Sequence, residues 1–231
     1  MTPPAAAAPR RRGRKVLIVI IVLLVIAGLL FGLDRAAAAY TANRIATTLQ
    51  NEGFPVKPTV SVEGFPFLTQ LITRHLQGVE VTAARFPVGP VTANIDVHAQ
   101  HITLDSGYRS GTIAQVRGTG LIPFASLAGL PALAAVPGLQ ISGDGPHMVK
   151  LSANLQVFAA SAIARVKQTA RNQISLRIVS SSGIPAALLA PIRDLILQIP
   201  ALPLGLTVRS VRVSPRGVVI GVAGSNVKFG Q

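Results

Sequence analysis

From Val16 to Leu33 every position is apolar, eighteen residues without a charge or a proline. A helix over this run is roughly 27 Å long at about 1.5 Å per residue, enough to cross a hydrocarbon core with little tilt. The pattern then changes. Ala38, Ala42, Ile45, Ala46 and Leu49 recur at helical spacing and predict an amphipathic helix over 35–51 that ends near Gly53. Val60-Ser61-Val62 alternates as a strand. Leu68, Leu71, Ile72 and Leu76 form a second helical stripe closed by Gly78, and Val79–Thr82 alternates again. Val91, Ala93, Ile95, Val97 and Ala99 share one strand face, with Thr92, Asn94, Asp96 and His98 on the other, the signature of a sheet with one dry and one wet side. Further strands are expected at 102–104, 112–121, 139–142, 149–158, 174–180, 207–213 and 218–222. Leu188, Leu189, Ile192, Leu195, Ile196 and Ile199 give a wide apolar stripe that predicts a helix over Pro185–Ile199, kinked at Pro191. Many antiparallel strands with a few helices make an α+β fold.

Between Arg117 and Asp144 no residue is charged, and Leu121 to Leu139 is almost wholly apolar. Pro123, Pro131 and Pro137 divide it into pieces too short to cross a bilayer. Two readings stand: a core helix with its loop, or an apolar lip that touches acyl chains or a bilayer surface. The segment 195–208, with Pro200 and Pro203, has the same character. Two such loops exceed what a domain of this size needs for its own core.

Arg10, Arg11, Arg12, Arg14 and Lys15 lie directly before the apolar run. Basic residues resist translocation, so residues 1–15 are expected in the cytoplasm, 16–33 in the membrane and 34–231 outside. A buried core helix fits poorly behind such a cluster. Ala36-Ala37-Ala38-Ala39 offers the small residues of a signal-peptidase site, whereas the run is long for a signal and Asp34-Arg35 intervene, so retention as an anchor and cleavage both stay open. The chain has no cysteine, which excludes attachment through an acylated cysteine and leaves the exported part to burial and hydrogen bonding alone.

Charge divides the exported part in two. Residues 34–149 carry seven basic and seven acidic side chains, whereas 150–231 carry ten basic ones against Asp194 alone. Such an imbalance seeks a negative partner. Export argues against nucleic acid and favours anionic lipid headgroups or envelope polymers.

Signatures of catalysis are missing. The chain has no G-x-S-x-G turn, no H-E-x-x-H, no P-loop and no cysteine nucleophile. His98 and His101 fall on opposite faces of a regular strand, which argues against a shared metal. The acids are too scattered to nominate a pair for glycosidic cleavage. No catalytic residue, metal site or cofactor is assigned.

Val60-Ser61-Val62-Glu63-Gly64-Phe65-Pro66-Phe67-Leu68-Thr69-Gln70-Leu71, followed by the strand at Val79–Thr82 and preceded by a basic N-terminus, one apolar segment and an alanine-rich helix, resembles the LmeA family of phospholipid-binding proteins from the actinobacterial envelope. Looser matches follow at Gly118–Phe124 and Pro185–Val213. The resemblance implies a fold similar to one half of the tubular lipid-binding (TULIP, BPI-like) domains, a long twisted antiparallel sheet wrapped around helices that leaves an apolar tunnel. It also implies binding of phospholipids, phosphatidylinositol types included, and a role in assembling mannose-containing envelope glycolipids.

No ligand-binding residue is carried over from the family; the candidates rest on apolarity and charge. Those for the lipid are Phe65, Phe67, Leu68, Leu71, Ile72, Leu121, Phe124, Leu127, Leu130, Leu188, Leu189, Ile192, Leu195, Ile196 and Ile199. Those for the headgroup are Arg193, Arg209 and Arg212. An acyl tail needs an apolar cavity, worth about 0.8 kcal/mol per buried methylene, and a phosphate needs cationic donors at the mouth. The reading is an exported, non-enzymatic phospholipid-binding or lipid-transfer protein of the periplasm or cell envelope, with anionic phospholipid and membrane as partners. A scaffolding envelope protein and an enzyme acting on envelope glycolipid are the alternatives.

Overall fold

A computed structural model of the chain describes residues 12–51, 54–134, 138–155, 158–170, 173–183, 194–199 and 202–230. The apolar run and the amphipathic stretch after it form one helix, α1 (Arg12–Asn51), 40 residues long. No break separates them, because Asp34 and Arg35 are themselves helical. The side chains of 17–33 are exposed all round, which is compatible with a signal segment or a membrane anchor. Beyond them a narrow stripe is buried: Asp34, Ala38, Ala42 and Ala46, each four residues from the last. Alanine at three of these positions lets the helix axis lie close to the sheet beneath.

That sheet has six antiparallel strands: β1 (Thr59–Glu63), β2 (His75–Val88), β3 (Val91–Leu104), β4 (Gly111–Pro123), β10 (Thr207–Ser214) and β11 (Gly217–Phe229), in the order β1-β2-β3-β4-β11-β10. A second antiparallel sheet runs β5 (Leu139–Gly143), β6 (Met148–Leu155), β7 (Phe158–Ala170), β8 (Gln173–Ser182), β9 (Asp194–Gln198) in chain order. One turn of 3-10 helix at Pro203–Gly205 precedes β10. The α+β class is as expected and consistent with a TULIP-like sheet fold, although the strands are divided between two sheets.

The first sheet buries one long face under two different covers. At one end α1 and the short helix α2 (Phe67–Thr73) enclose Val62, Phe67, Leu76, Val79, Ile102, Ile113, Val116 and Val227. At the other end the second sheet and the single turns α3 (Phe124–Ala128) and α4 (Pro131–Ala134) enclose Val91, Ala93, Ile122, Val218 and Ile220. The dry row predicted from Val91 onward holds up to Ala99. At His101, with φ 52, the alternation flips and Ile102 takes the buried side; Asn226, also φ 52, does the same before Val227. The crease keeps an apolar row under α1 where strict alternation would have turned it to water.

Three expectations are corrected. The helical stripe ending at Leu76 stops at Arg74, which adopts φ 59 and donates its N–H to Leu71 C=O. Leu76 is instead a strand residue opposite Ile102. The expected strand 149–158 spans β6 and reaches only the first residue of β7, whose buried face of Ala160, Ala162, Ala164 and Val166 carries little strand signal because alanine is a weak strand former. Of the expected helix 185–199, residues 185–193 lie outside the described residues and Asp194–Gln198 is a strand. Leu195 and Leu197 turn inward beside β8 while Ile196 is exposed, a period of two that a short leucine-rich run does not distinguish from a helical stripe.

Candidate functional site

Where the two sheets face each other they leave an apolar cavity of about 40 Å³. The first sheet contributes Ile122 from β4 and Val218 from β11. Leu127, Leu130 and Leu133 come from the α3–α4 turns. The second sheet supplies Ile141, Val149, Leu151, Val166, Ile174, Leu176, Leu195 and Leu197, so all five of its strands take part. Every lining side chain is a leucine, isoleucine or valine, with no group that could fix water or polarise a bond. Such a cavity holds hydrocarbon or nothing. The central strand β7 presents Ala160, Ala162 and Ala164 before Val166, a low row between the larger side chains of β6 and β8.

A cavity of this size takes a few water molecules' volume, far less than an acyl chain. A longer hydrocarbon occupant would require the sheets to move apart, so what joins them matters. Among the described residues two hydrogen bonds join them, both beside β10. Val213 N–H donates to Pro146 C=O at 2.7 Å, and the Gln168 side chain donates to Val208 C=O at 3.4 Å. The rest of the contact is aliphatic packing, which slides without leaving a polar group unpaired. The α3 turn stays with the first sheet, its Ser126 hydroxyl accepting the Thr92 N–H at 2.7 Å.

The candidates from sequence divide by position. Leu127, Leu130 and Leu195 line the cavity. Phe124 and Ile199 belong to the same buried core. The uncharged stretch around them is therefore a core helix with its loop, since Phe124, Leu127, Leu130 and Leu133 are all buried. Leu121 lies half-buried on the opposite face of β4 from Ile122, which takes the lining position one residue along. Ile196 points outward. Leu188, Leu189, Ile192 and Arg193 lie outside the described residues. Phe65, Phe67, Leu68, Leu71 and Ile72 gather at the other end of the first sheet, where α1 docks. Missed from the sequence were the second sheet's lining residues other than Leu195. Alternation along Val149-Lys150-Leu151 and Ile174-Ser175-Leu176 carried that signal.

Arg209 and Arg212 are both exposed on β10, an edge strand. Three residues apart, they would face oppositely in a regular strand; a bulge between Val208 and Ser210 brings both outward. On the outer face of the second sheet Arg165 sits directly opposite Arg177, an unfavourable pairing that Asp194 relieves through a 2.6 Å ion pair to Arg177. Lys150 and Lys167 are exposed on the same sheet.

The wet face of the first sheet holds the group best suited to a cation. His98 lies 3.7 Å from Glu63, 3.9 Å from Glu80 and 3.1 Å from Asp96. All four side chains are accessible to water, as on any solvated strand face, and no assignment follows from their proximity.

The end at which α1 docks is built by the Gly64–Leu71 motif. Gly64 turns the chain with φ 93, where a side chain would press on Gln70 and Gln77. Pro66 begins α2 without a side-chain cap, and Asp34 of α1 supplies one, accepting the Leu68 N–H at 2.8 Å. Arg35 holds Asp34 at 2.7 Å and donates to Gly64 C=O at 2.9 Å, with its guanidinium 5.5 Å from the Phe65 ring centre. Phe65 also packs on Phe31 at 5.4 Å. Buried Gln70 accepts the Gln77 N–H and donates to Glu63 C=O. Burial by itself raises the Asp34 pKa; the Leu68 N–H, Arg35 and the Phe67 N–H outweigh it and hold the carboxyl below its ordinary value.

A family model described as LmeA-like phospholipid-binding matches residues 32–223. No curated protein and no solved structure matches the chain.

Proposed function

The chain belongs to the LmeA-like phospholipid-binding family, and from that membership we propose that it takes the acyl part of a phospholipid between its two sheets. The observation that carries this reading is the cavity lined by aliphatic side chains alone, drawn from both sheets and from the α3–α4 turns. Each lipid methylene kept out of water there is worth about 0.8 kcal/mol, so an apolar cavity offsets what the acyl chain loses on leaving the bilayer, which a polar site could not do. Among the described residues no group suited to bond cleavage lines the cavity, which supports holding or transfer over chemistry.

The finer reading is an anionic phospholipid of the phosphatidylinositol type, taken up on the outer side of the membrane in support of mannose-containing glycolipid assembly in the envelope. The excess of basic residues after position 150 supports the anionic preference. Arg209 and Arg212 are the headgroup candidates among the described residues. The apolar segment stays attached as an anchor. Cleavage near Ala38 would strip Asp34 and Arg35 from the Leu68 amide and the Gly64 carbonyl and take apart the buried alanine stripe.

Uptake from vesicles tests the reading. The protein, incubated with phosphatidylcholine vesicles containing either phosphatidylinositol or more phosphatidylcholine, is re-isolated and its lipid extracted. Phosphatidylinositol should be enriched over its share in the vesicle, less so at high salt. Recovery of phosphatidylcholine in proportion to supply would remove the anionic preference, and recovery of no lipid would remove the function.

A further inference from the structure

We infer that Phe65, Leu68 and Ile72 form a membrane-entering knuckle, set into the bilayer leaflet from which α1 emerges. Three large apolar side chains stand exposed together on one short stretch: Phe65 at 55%, Leu68 at 40% and Ile72 at 78%. Leu68 and Ile72 are four residues apart and share a face of α2, whose opposite face buries Phe67 and Gln70. In water such a face is unfavourable. Its occupant follows from where it stands.

The spanning helix fixes the level. Its exposed apolar surface ends at Leu33, and Phe31, two residues or about 3 Å inside that end, packs against the Phe65 ring. Phe65 is therefore level with the last apolar turn of α1. Asp34, the first residue past that turn, caps α2 at Leu68, which sets α2 at the boundary between hydrocarbon and headgroups. Arg35 follows, partly exposed, with its guanidinium against Phe65, at the level where a cation reaches phosphate from a bilayer edge. The knuckle thus continues the membrane surface already occupied by the same chain. A second protein is not needed to cover it.

The consequence is orientation. α1 crosses without a break into its docked half, and the clamp of Asp34, Arg35 and Phe65 joins it to the sheet. The knuckle adds a second point of attachment beside the helix, so the exported domain stands on the membrane at a set angle. The strands of the first sheet run from this end toward the cavity. Ile113 packs under α1 and Ile122 lines the cavity, nine residues or roughly 30 Å along β4. The cavity is held away from the bilayer that carries the anchor.

The chain contains no tryptophan, so a single introduced one reports without background. Full-length Phe65→Trp and Ile72→Trp are reconstituted into phosphatidylcholine vesicles with acyl chains brominated near the headgroup or near their ends. Leu24→Trp, inside the spanning helix, and Arg216→Trp, in the turn between β10 and β11 at the far end of the sheet, are measured beside them. Phe65→Trp and Ile72→Trp should emit at shorter wavelength than Arg216→Trp and be quenched most by the shallow bromines. Leu24→Trp should be quenched most by the deep ones, and Arg216→Trp by neither. Quenching of Leu24→Trp with none at Phe65→Trp and Ile72→Trp would overturn the knuckle and leave the anchor standing. Loss of quenching at all three would overturn both. Ile72 is so exposed that its replacement does not disturb packing, which keeps the test open if Phe65→Trp misfolds.

Discussion

Val149→Phe probes the cavity most sharply. Val149 is fully buried on β6 and lines the cavity, so the larger ring has to enter a space of about 40 Å³. Phenylalanine carries four more carbon atoms than valine. In a fixed core such overpacking destabilises by about 1–3 kcal/mol, which for a domain of this size lowers Tm by roughly 2–12 °C. If the sheets separate to admit lipid, the seam yields and the loss falls at the low end of that range. The ring then lies in the path of the chain and displaces about as many lipid methylenes as it adds carbons. At about 0.8 kcal/mol each this comes to about 3 kcal/mol, or roughly 100-fold weaker retention. Thermal unfolding reads the first quantity and extracted lipid per protein the second. A folded Val149→Phe protein carrying the wild-type amount of phospholipid would rule out this cavity, because the ligand would have to lie elsewhere.

Other consequences are open to separate assays. A reporter active only outside the cytoplasm, fused after Gln231, should be functional, and neutralising Arg10, Arg11, Arg12, Arg14 and Lys15 should reduce the correctly oriented fraction. The Asp34 pKa lies below its ordinary value, so its contribution to the α1–α2 joint is complete above about pH 4 and fades as pH falls through the folded value. Amide exchange in α2 should rise with acid in the wild type and lose that dependence in Asp34→Asn; an unchanged acid response in the variant would assign it to another group. Replacing Arg209 and Arg212 by Gln should weaken retention of phosphatidylinositol relative to phosphatidylcholine by about 1 kcal/mol each at low salt, with the difference shrinking as salt rises. An unchanged ratio of the two extracted lipids in the variant at low salt would show that these side chains do not meet the headgroup.

Much of the architecture is legible along the chain because its two periods are clean where side chains are large. The run to Leu33 declares itself by length, and the row from Val91 by strict alternation between a dry face and one carrying Asp96 and His98. Legibility fails where one residue decides the outcome. Alanine hides β7, since Ala160, Ala162 and Ala164 look neither strand-like nor apolar enough. The leucine-rich run at 195–199 satisfies both periods over so short a span, and only the pairing with β8 selects the strand. On β4 the choice between Leu121 and Ile122 is one of register, which crosses the sheet from wet to dry with a single step. The Gly64–Leu71 motif is conspicuous in sequence, yet its work there is invisible. Asp34 and Leu68 are 34 residues apart, and nothing local announces that the acid beyond the apolar run caps the helix inside the motif. Its placement at the docking end of α1, away from the cavity, follows from that contact.

Whether phospholipid sits between the sheets is read most directly by native mass spectrometry of the full-length chain, released from a mild detergent with its non-covalent ligands intact. The folded wild type should carry the mass of one phospholipid, with that mass lost in Val149→Phe and kept in Ile72→Trp. A folded wild-type protein that carries no phospholipid after incubation with phosphatidylinositol vesicles would contradict lipid uptake between the sheets.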